Sequence, residues 1–527
     1  MIPKLPDLSP HPSPRRRSLP LRWALLCLLL TLIVSPQASA QGGARDWEAE
    51  PEIPSAEVQA ITEVRLVISP QQTVERGALV LRDGRIEAIG AEVEIPPEAQ
   101  VYAHPGKTVY PGLIEIHWPQ PWPSATSSGG RGRGAESRGR GRGEGSEAEG
   151  PAATYRNEQV RSHRDYSTLN LDEDRVKALR SAGFTTALIT PEDGVLGGSS
   201  ALINLGDGEA GTNLLRTAVA QHVAPAEPEG FGGGYPNSLM GAVALLRQVV
   251  TEARWYQDAK TASSEGAAGP RPPFDRSLEA LGPAVRGEAP LVIHGPDERA
   301  TLRNARLMNE LELDGWLVGS GKEYRRAETI AATGWPLVLP LDFPAAPELP
   351  KAPHEEKAKA GSKGDSKPKT KGEKQDGSKG EKQDTPLVDD PALTLDTLRH
   401  WDQAPSNPAR MVAAGASVAL TTAGLDKAQD LYSSAARARQ AGLSEADLLA
   451  ALTLGPAQLL GLESSAGSLE AGKMANFLVV DGELFPSEGK PKIEQVWIDG
   501  RRYAAEAPSA GGPPGSGRRG GPSGESR

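Results

Sequence analysis

Residues 77–117 read GALVLRDGRIEAIGAEVEIPPEAQVYAHPGKTVYPGLIEIH, and this segment carries the strongest indication of the fold. It begins with two runs of alternating apolar residues separated by Asp83-Gly84, a pair typical of a two-residue β-hairpin turn. It ends in an apolar run over residues 112–116, which predicts a buried strand directly before His117. The segment therefore predicts a β lobe followed by the first strand of a larger unit.

Downstream of this segment, apolar runs alternate with segments of helical periodicity. Predicted strands lie at residues 184–189, 201–205, 291–294, 315–318, 336–341 and 417–421. Predicted helices lie at residues 173–181, 239–259, 298–312 and 323–333. Such alternation is typical of a parallel α/β fold. After a helical stretch at 443–463, residues 474–503 return to strands with Asp499-Gly500 as a second hairpin turn. The simplest architecture is an α/β barrel beside a β lobe built from both chain ends.

The N-terminal residues have the three parts of an export signal. Arg15-Arg16-Arg17 provide positive charge, residues 23–34 are an apolar run, and Ala38-Ser39-Ala40 is a small-residue cleavage pattern. Twelve helical residues rise only about 18 Å, so we predict a cleaved signal over residues 1–40 rather than a permanent anchor. The only cysteine of the chain, Cys27, lies in this run, so the mature chain has no cysteine ligand or nucleophile. We expect a periplasmic or extracellular protein.

Composition predicts that an ordered enzyme-sized core is interrupted by unstructured segments. Gly and Pro number 59 and 46 of 527 residues, and only 38% of residues are hydrophobic. Three stretches lack the apolar residues that ordering requires: about 124–152, about 351–385 and 505–527. The net charge of −10 argues against nucleic acid as a partner. The first of these stretches contains RGRG runs, which we interpret as a solvated linker in a secreted acidic protein.

Both ends of the ordered chain resemble the amidohydrolase superfamily, and more narrowly its imidazolonepropionase-like branch. The N-terminal motif is the segment at 77–117, which is similar to the family's strand–turn–strand followed by PGLID-x-H. The C-terminal motif is LLAALTLGPAQLLGLESSAGSLEAGKMANFLVVDGELF, followed by IEQVWIDGRRY, within residues 448–503. The resemblance implies a (β/α)8-type TIM barrel with a small β-sandwich domain. It also implies hydrolysis of amide or cyclic amide C–N bonds by metal-activated water.

The resemblance yields a domain organisation for the whole chain. The β domain takes residues 53–110 and 466–504, and the barrel takes residues 111–465 with insertions at about 124–152 and 351–385. The signal peptide over residues 1–40 precedes these domains, and the tail over residues 505–527 follows them.

The resemblance also implies a set of metal ligands, of which the sequence keeps a part. His117 matches the first histidine of the family's H-x-H pair after strand 1, and His294 matches the histidine after strand 5. Pro119 replaces the second histidine of the pair, and Ala423 stands where the family has an aspartate after strand 8. No histidine follows strand 6, where the sequence is GSGKEYRR, and no lysine is placed at strand 4.

Two histidines alone hold a catalytic zinc poorly, because such sites typically have three protein ligands. Residues that could rebuild the site are His163, Asp193, His222 and His400, none of which has motif spacing. Asn476, in place of an aspartate of the family's GKDAD motif, is a further departure outside the ligand set. For His117 and His294 themselves, packed and hydrogen-bonded structural histidines remain the alternative to metal ligands.

Three hypotheses about function remain open. The first is an exported hydrolase of small amide, cyclic amide or dipeptide-like substrates with one divalent ion, zinc being the expected one. The second is a non-catalytic member of the fold, without a metal, that binds a ligand or a homologous protein subunit; the replaced ligands favour it. The third is a secreted scaffold whose charged segments make the relevant contacts. None of the three involves nucleic acid, or a membrane after signal cleavage, as a partner.

Overall fold

The computed structural model describes residues 58–120, 155–191, 194–208, 211–225, 235–266, 269, 271–346 and 391–504. The predicted signal peptide, the three predicted unstructured stretches and Asp193 lie outside these residues. No helix in these ranges combines the length and the apolar character that a bilayer span requires.

The described chain contains eighteen strands and ten α-helices. The strands are β1 Val58–Ser69, β2 Gln72–Arg82, β3 Arg85–Gly90, β4 Gln100–Ala103, β5 Thr108–Pro111, β6 Leu113–Gln120, β7 Phe184–Pro191, β8 Leu196–Ser199, β9 Ala201–Asn204, β10 Leu214–Arg216, β11 Gln221–Val223, β12 Leu291–His294, β13 Gly315–Val318, β14 Leu337–Pro340, β15 Val418–Thr421, β16 Phe477–Asp481, β17 Lys492–Ile498 and β18 Arg501–Ala504. The helices are α1 Glu173–Ser181, α2 Leu239–Ser264, α3 Arg276–Val285, α4 Glu298–Glu310, α5 Ala327–Ala331, α6 Pro391–Gln403, α7 Asn407–Ala413, α8 Leu431–Gln440, α9 Glu445–Leu452 and α10 Leu454–Leu460.

An eight-stranded sheet joins the two ends of the described chain. Its order is β18-β17-β16-β5-β1-β2-β3, with β4 paired to β1. Two hairpins in this sheet turn at Asp83-Gly84 and Asp499-Gly500, where all four residues have positive φ, as a type I′ turn requires. Both hairpin turns predicted from the sequence are therefore confirmed.

The barrel strands lie in two further sheets, β10-β9-β7-β6 and β15-β14-β13-β12-β11-β8. Strands β11 to β15 are parallel, and β6 is parallel to β7. The two sheets meet where β15 lies beside β6: the hydroxyl oxygen of Thr421 lies 2.9 Å from the carbonyl oxygen of His117. Every strand predicted between residues 112 and 421 is present, so the predicted alternation is confirmed.

One part of the barrel differs from the expected parallel arrangement. Strand β9, predicted at residues 201–205, runs antiparallel to β7, and β8 runs antiparallel to β11. Only residues 192–195 separate β7 from β8. A parallel connection needs a crossover of a dozen or more residues, so this short link reverses the chain. The parallel direction predicted for the strand at residues 201–205 is therefore wrong.

Alternate residues of the barrel strands pack into two apolar layers. One layer joins side chains from most barrel strands to α10 and includes Ile116, Val292, Trp316, Val338 and Leu460. The opposite face of the strands packs against the surrounding helices in a larger cluster. Side chains alternate along a strand, so residues two apart face the same side. Ala220 and Val292 belong to the inner layer. His222 and His294, two residues further along the chain, therefore face the same side.

Candidate metal centre

Three histidines converge at the carboxyl ends of three barrel strands. His117 lies in β6, His222 in β11 and His294 at the end of β12. One nitrogen from each ring lies within 4.8 Å of the corresponding nitrogens of the other two. The rings line a cavity of about 290 Å³ whose other walls are small or apolar: Pro119, Pro191, Gly194, Gly197, Val223 and Ala224. The carboxyl end of barrel strands is where active sites of this architecture lie.

The shortest contact in the group joins Nδ1 of His222 to Nε2 of His294, 3.2 Å apart. This separation fits a hydrogen bond that shares one proton. It is also close to the distance of about 3.4 Å between two nitrogen ligands of one tetrahedral zinc ion. The second ring nitrogen of His222, Nε2, is buried and has no hydrogen-bond partner among the described groups. A buried polar atom without a partner costs free energy, and a ligand in the cavity would remove that cost.

Each histidine is held in place by neighbouring groups. The Nδ1 atom of His117 lies 3.0 Å from the hydroxyl of Thr190. The backbone N–H of His117 donates to the carboxylate of Glu115 at 2.9 Å. The carbonyl of His294 accepts a hydrogen bond from the side-chain amide of Asn304 at 3.0 Å. A contact such as that of Thr190 fixes which nitrogen of a metal-binding histidine faces the ion.

Burial keeps all three imidazoles uncharged at neutral pH. It lowers the pKa of His294 to about 4. Burial and, secondarily, the neighbouring His294 lower the pKa of His117 well below its usual value. Burial and repulsion from both neighbours do the same to the pKa of His222. Neutral imidazoles have the free lone pairs that a metal ion needs.

These pKa shifts predict that the metal-free protein loses stability as the pH falls below about 6.5. The unfolded chain then binds protons that the folded chain excludes, so the free energy of unfolding decreases until the folded pKa is reached. For His294 alone the loss is about 2 kcal/mol at pH 5. We expect urea unfolding in the presence of a chelator to show this decrease in the free energy of unfolding between pH 7.5 and pH 5. The variant His294→Gln should have a shallower pH dependence; an unchanged slope would contradict the neutral buried histidine.

The structure brings together only some of the histidines considered from the sequence. His117 and His294 are neighbours, with ring centroids 4.9 Å apart. His222, considered only as a weak candidate, completes the group at the fourth strand position around the barrel, where the family resemblance implies a lysine or glutamate. His163 is exposed and lies outside the group. His400 is bonded instead to the hydroxyl of Tyr324 at 3.1 Å.

The replaced family positions have structural roles in this chain. Pro119 lines the cavity beside the histidines. The backbone N–H of Ala423 donates to the hydroxyl of Thr421 at 3.0 Å. The loop after β13 is fixed by the buried Glu323, which accepts hydrogen bonds from the backbone of Ser320 and Gly321 at 2.7 and 3.0 Å. Among the described lining residues of the cavity, none carries a carboxylate.

Comparison with known proteins supports the resemblance to the amidohydrolase superfamily. The amidohydrolase family profile matches residues 406–503, which include β15 and strands β16 to β18. This part of the chain is similar to the amidohydrolase family. Metal-dependent hydrolysis is the general reaction of this superfamily, and a divalent metal its general cofactor. The comparison with curated proteins matches no relative.

Comparison with solved structures finds similar chains at low sequence identity. An amidohydrolase from Thermotoga maritima is 20% identical, with a TM-score of 0.60 over 84% of this chain and 98% of the other. A putative prolidase from Bifidobacterium longum is 14% identical, with a TM-score of 0.45 over 85% and 95% of the two chains. A β-aspartyl dipeptidase from Fervidobacterium islandicum is 14% identical, with a TM-score of 0.41 over 86% and 97%. The predicted TIM barrel with a β domain is confirmed by the first of these; the imidazolonepropionase-like branch stays a prediction.

Proposed function

We propose that this protein is a metal-dependent hydrolase of small amides or cyclic amides, with one divalent ion held by His117, His222 and His294. The observation that carries the proposal is the convergence of three uncharged imidazoles, one buried and two half-buried, from three barrel strands on one cavity. Three histidines and an open fourth position are a known catalytic zinc arrangement, so zinc is the ion we expect.

The residues present fit such an ion by their chemistry. The neutral state of all three rings leaves a lone pair on each for coordination, and Nδ1 of His222 lies 3.2 Å from Nε2 of His294. Thr190 contacts the ring of His117 at Nδ1, and Glu115 holds its backbone N–H. The three candidate ligand nitrogens all lie within 4.8 Å of one another, so we expect small side-chain movements to bring them onto one ion.

The chain's own groups would position the substrate and exclude water. When bound, the ion would lower the pKa of a water molecule towards neutrality and polarise the scissile carbonyl. The cavity walls of Pro119, Pro191 and Val223 are apolar, which strengthens electrostatic interactions inside the cavity. Its volume of about 290 Å³ lies at the lower end of the range for small-molecule sites, which favours a small substrate.

A non-catalytic barrel that binds a ligand or a homologous subunit is the second candidate. The observation that favours it is Ala423, which stands at the strand-8 position where the family resemblance implies an aspartate. That position would normally accept the proton of the attacking water. We also propose export to the periplasm or beyond, supported by the N-terminal pattern of arginines, apolar run and cleavage motif.

The experiment measures metal content and hydrolysis together. The protein is purified without chelator, and zinc, iron, manganese and nickel are quantified per chain. A panel of N-acyl amino acids, cyclic amides and dipeptides is then assayed with the metal-loaded and chelator-treated protein. Near one equivalent of metal and metal-dependent hydrolysis would support the hydrolase. One equivalent without hydrolysis of any panel member would favour the non-catalytic candidate. A folded protein without metal would favour it too, and would also overturn the metal centre.

The contact between Thr190 and His117 gives a test of ligand orientation. Thr190→Val keeps the shape of the side chain but removes the hydroxyl that lies 3.0 Å from Nδ1 of His117. We expect the affinity for zinc, measured by competition with a chelating dye, to fall about tenfold. Thr190→Ser should restore the zinc affinity. The control is Thr333→Val, which removes a hydroxyl that donates to the carbonyl of Ile330, and it should leave the zinc affinity unchanged. Equal affinities in Thr190→Val and the parent would show that the hydroxyl does not orient the ligand.

A further inference from the structure

We propose that a groove beside helices α2 and α4 is a second binding site, for a small ligand that carries a phosphate-type oxyanion. The groove has a volume of about 420 Å³ and shares no lining residue with the histidine cavity. Five arginines and one glutamate provide its charged groups: Arg247, Arg299, Arg303, Arg306, Arg326 and Glu310.

The arginines come from three separate segments. Arg299, Arg303 and Arg306 are spaced four and three residues apart on α4, which places them on one face of that helix. Arg247 comes from α2, and Arg326 ends the 3-10 helix Glu323–Arg326. The groove is therefore built by the tertiary fold and is not a single charged run in the sequence.

The positive charge of the groove is largely uncompensated. Arg247 forms a two-pronged ion pair with Glu310, with both N···O distances 2.7 Å. Of the acidic side chains that the structure describes, none pairs with the other four arginines. Four guanidinium groups in one groove repel one another, and they do so in a chain whose net charge is −10. A bound anion would turn this repulsion into attraction.

Arg303 gives a second, independent indication of a ligand. Its Nε atom is buried and has no hydrogen-bond partner among the described groups, although the side chain as a whole is only half-buried. A buried N–H of a charged group without an acceptor is costly, and rotation of the Arg303 guanidinium towards an oxyanion in the groove would bring this N–H to an acceptor.

The lining of the groove favours a phosphate-type group on a small molecule. Planar guanidinium groups bind tetrahedral oxyanions through paired N–H donors, and an anion with two charges gains more from several arginines than a carboxylate does. Val243, Leu302 and Leu307 line the same groove and provide an apolar surface for the rest of the ligand.

The test is calorimetric titration of the purified protein with inorganic pyrophosphate in low-salt buffer. We expect saturable binding that weakens as salt is added. The double variant Arg303→Gln/Arg326→Gln should bind about tenfold more weakly, while Arg76→Gln, an exposed arginine on β2, should bind like the parent. Neither change touches the histidine cavity, so metal content should stay the same in all three proteins.

Two further arms distinguish binding in the groove from binding at the histidines and from recognition of an acidic protein. Pyrophosphate could bind a metal ion, so His294→Ala is titrated as well; we expect its affinity for pyrophosphate to equal that of the parent. Loss of binding in His294→Ala but not in the arginine variant would overturn the groove. Equal binding by the parent and the arginine variant would overturn it too. If poly-glutamate binds more tightly than pyrophosphate, the ligand of the groove is an acidic protein segment and the phosphate-type ligand is overturned.

Discussion

Replacement of His222 by alanine is expected to abolish stable zinc binding, with an affinity loss of more than ~100-fold. Removal of a group that only orients a ligand costs about 10–100-fold in affinity, and removal of a direct ligand should cost more. His222 is 2% exposed, and its Nε2 has no partner among the described groups. Its removal leaves only His117 and His294, which is too few for a catalytic zinc site. The measurement is zinc per chain after dialysis, together with dye competition.

Matched variants decide whether this loss is specific. His163→Ala removes an exposed histidine outside the group and should keep one equivalent of zinc. His222→Gln preserves most of the buried volume, and its urea unfolding shows whether any loss of zinc comes from loss of the fold. If His222→Ala retains one equivalent while a His117→Ala/His294→Ala variant loses it, His222 is not a ligand and the site rests on the two histidines found in the sequence.

Apolar runs in the sequence predict most barrel strands, but no sequence pattern predicts the short strand β11. Apolar runs such as residues 291–294 and 315–318 predict barrel strands, and both are present. Strand β11 has only three residues, Gln221–Val223, and a proline follows closely at Pro225, so no periodicity indicates it. Since His222 sits on that strand, its partnership with His294 could not be predicted from spacing. This partnership arises only in the folded protein, where β11 pairs with β8 and β12.

Family motifs locate the other two histidines because these follow regular apolar strands. His117 follows the PGLIEI segment, and His294 ends the run Leu291–His294. The same motifs indicate a site that has lost metal ligands, since Pro119 and Ala423 cannot ligate a metal through their side chains. What they cannot indicate is a ligand introduced from another strand position. The structure therefore changes the interpretation from two remaining ligands to a group of three histidines.

Glu115 links the histidine group to the closure of the barrel. Its carboxylate is fully buried on β6 and accepts four hydrogen bonds. The donors are the backbone N–H groups of His117 and Thr422, at 2.9 and 2.8 Å, and the hydroxyls of Thr421 and Thr422, both at 2.5 Å. Burial raises the pKa of Glu115, while these hydrogen bonds oppose the shift. One side chain thus joins β6 to the end of β15 and holds the backbone of a proposed ligand.

Glu115→Ala is therefore expected to lower the free energy of unfolding by about 3–5 kcal/mol, because it leaves buried donors unpaired and a cavity behind. Glu115→Gln should cost less, since one acceptor oxygen and the side-chain volume remain. Urea unfolding at pH 7.5 measures both.

Glu323→Ala is the comparator. It removes another fully buried carboxylate, bonded to Ser320, Gly321 and Asn407, and should cost a similar amount. Only Glu115→Ala should also weaken zinc binding, because only Glu115 bonds to His117. An unfolding midpoint equal to that of the parent would show that the closure of the barrel does not depend on this carboxylate. Equal losses of zinc affinity in the two variants would show that Glu115 acts through general stability and does not position His117.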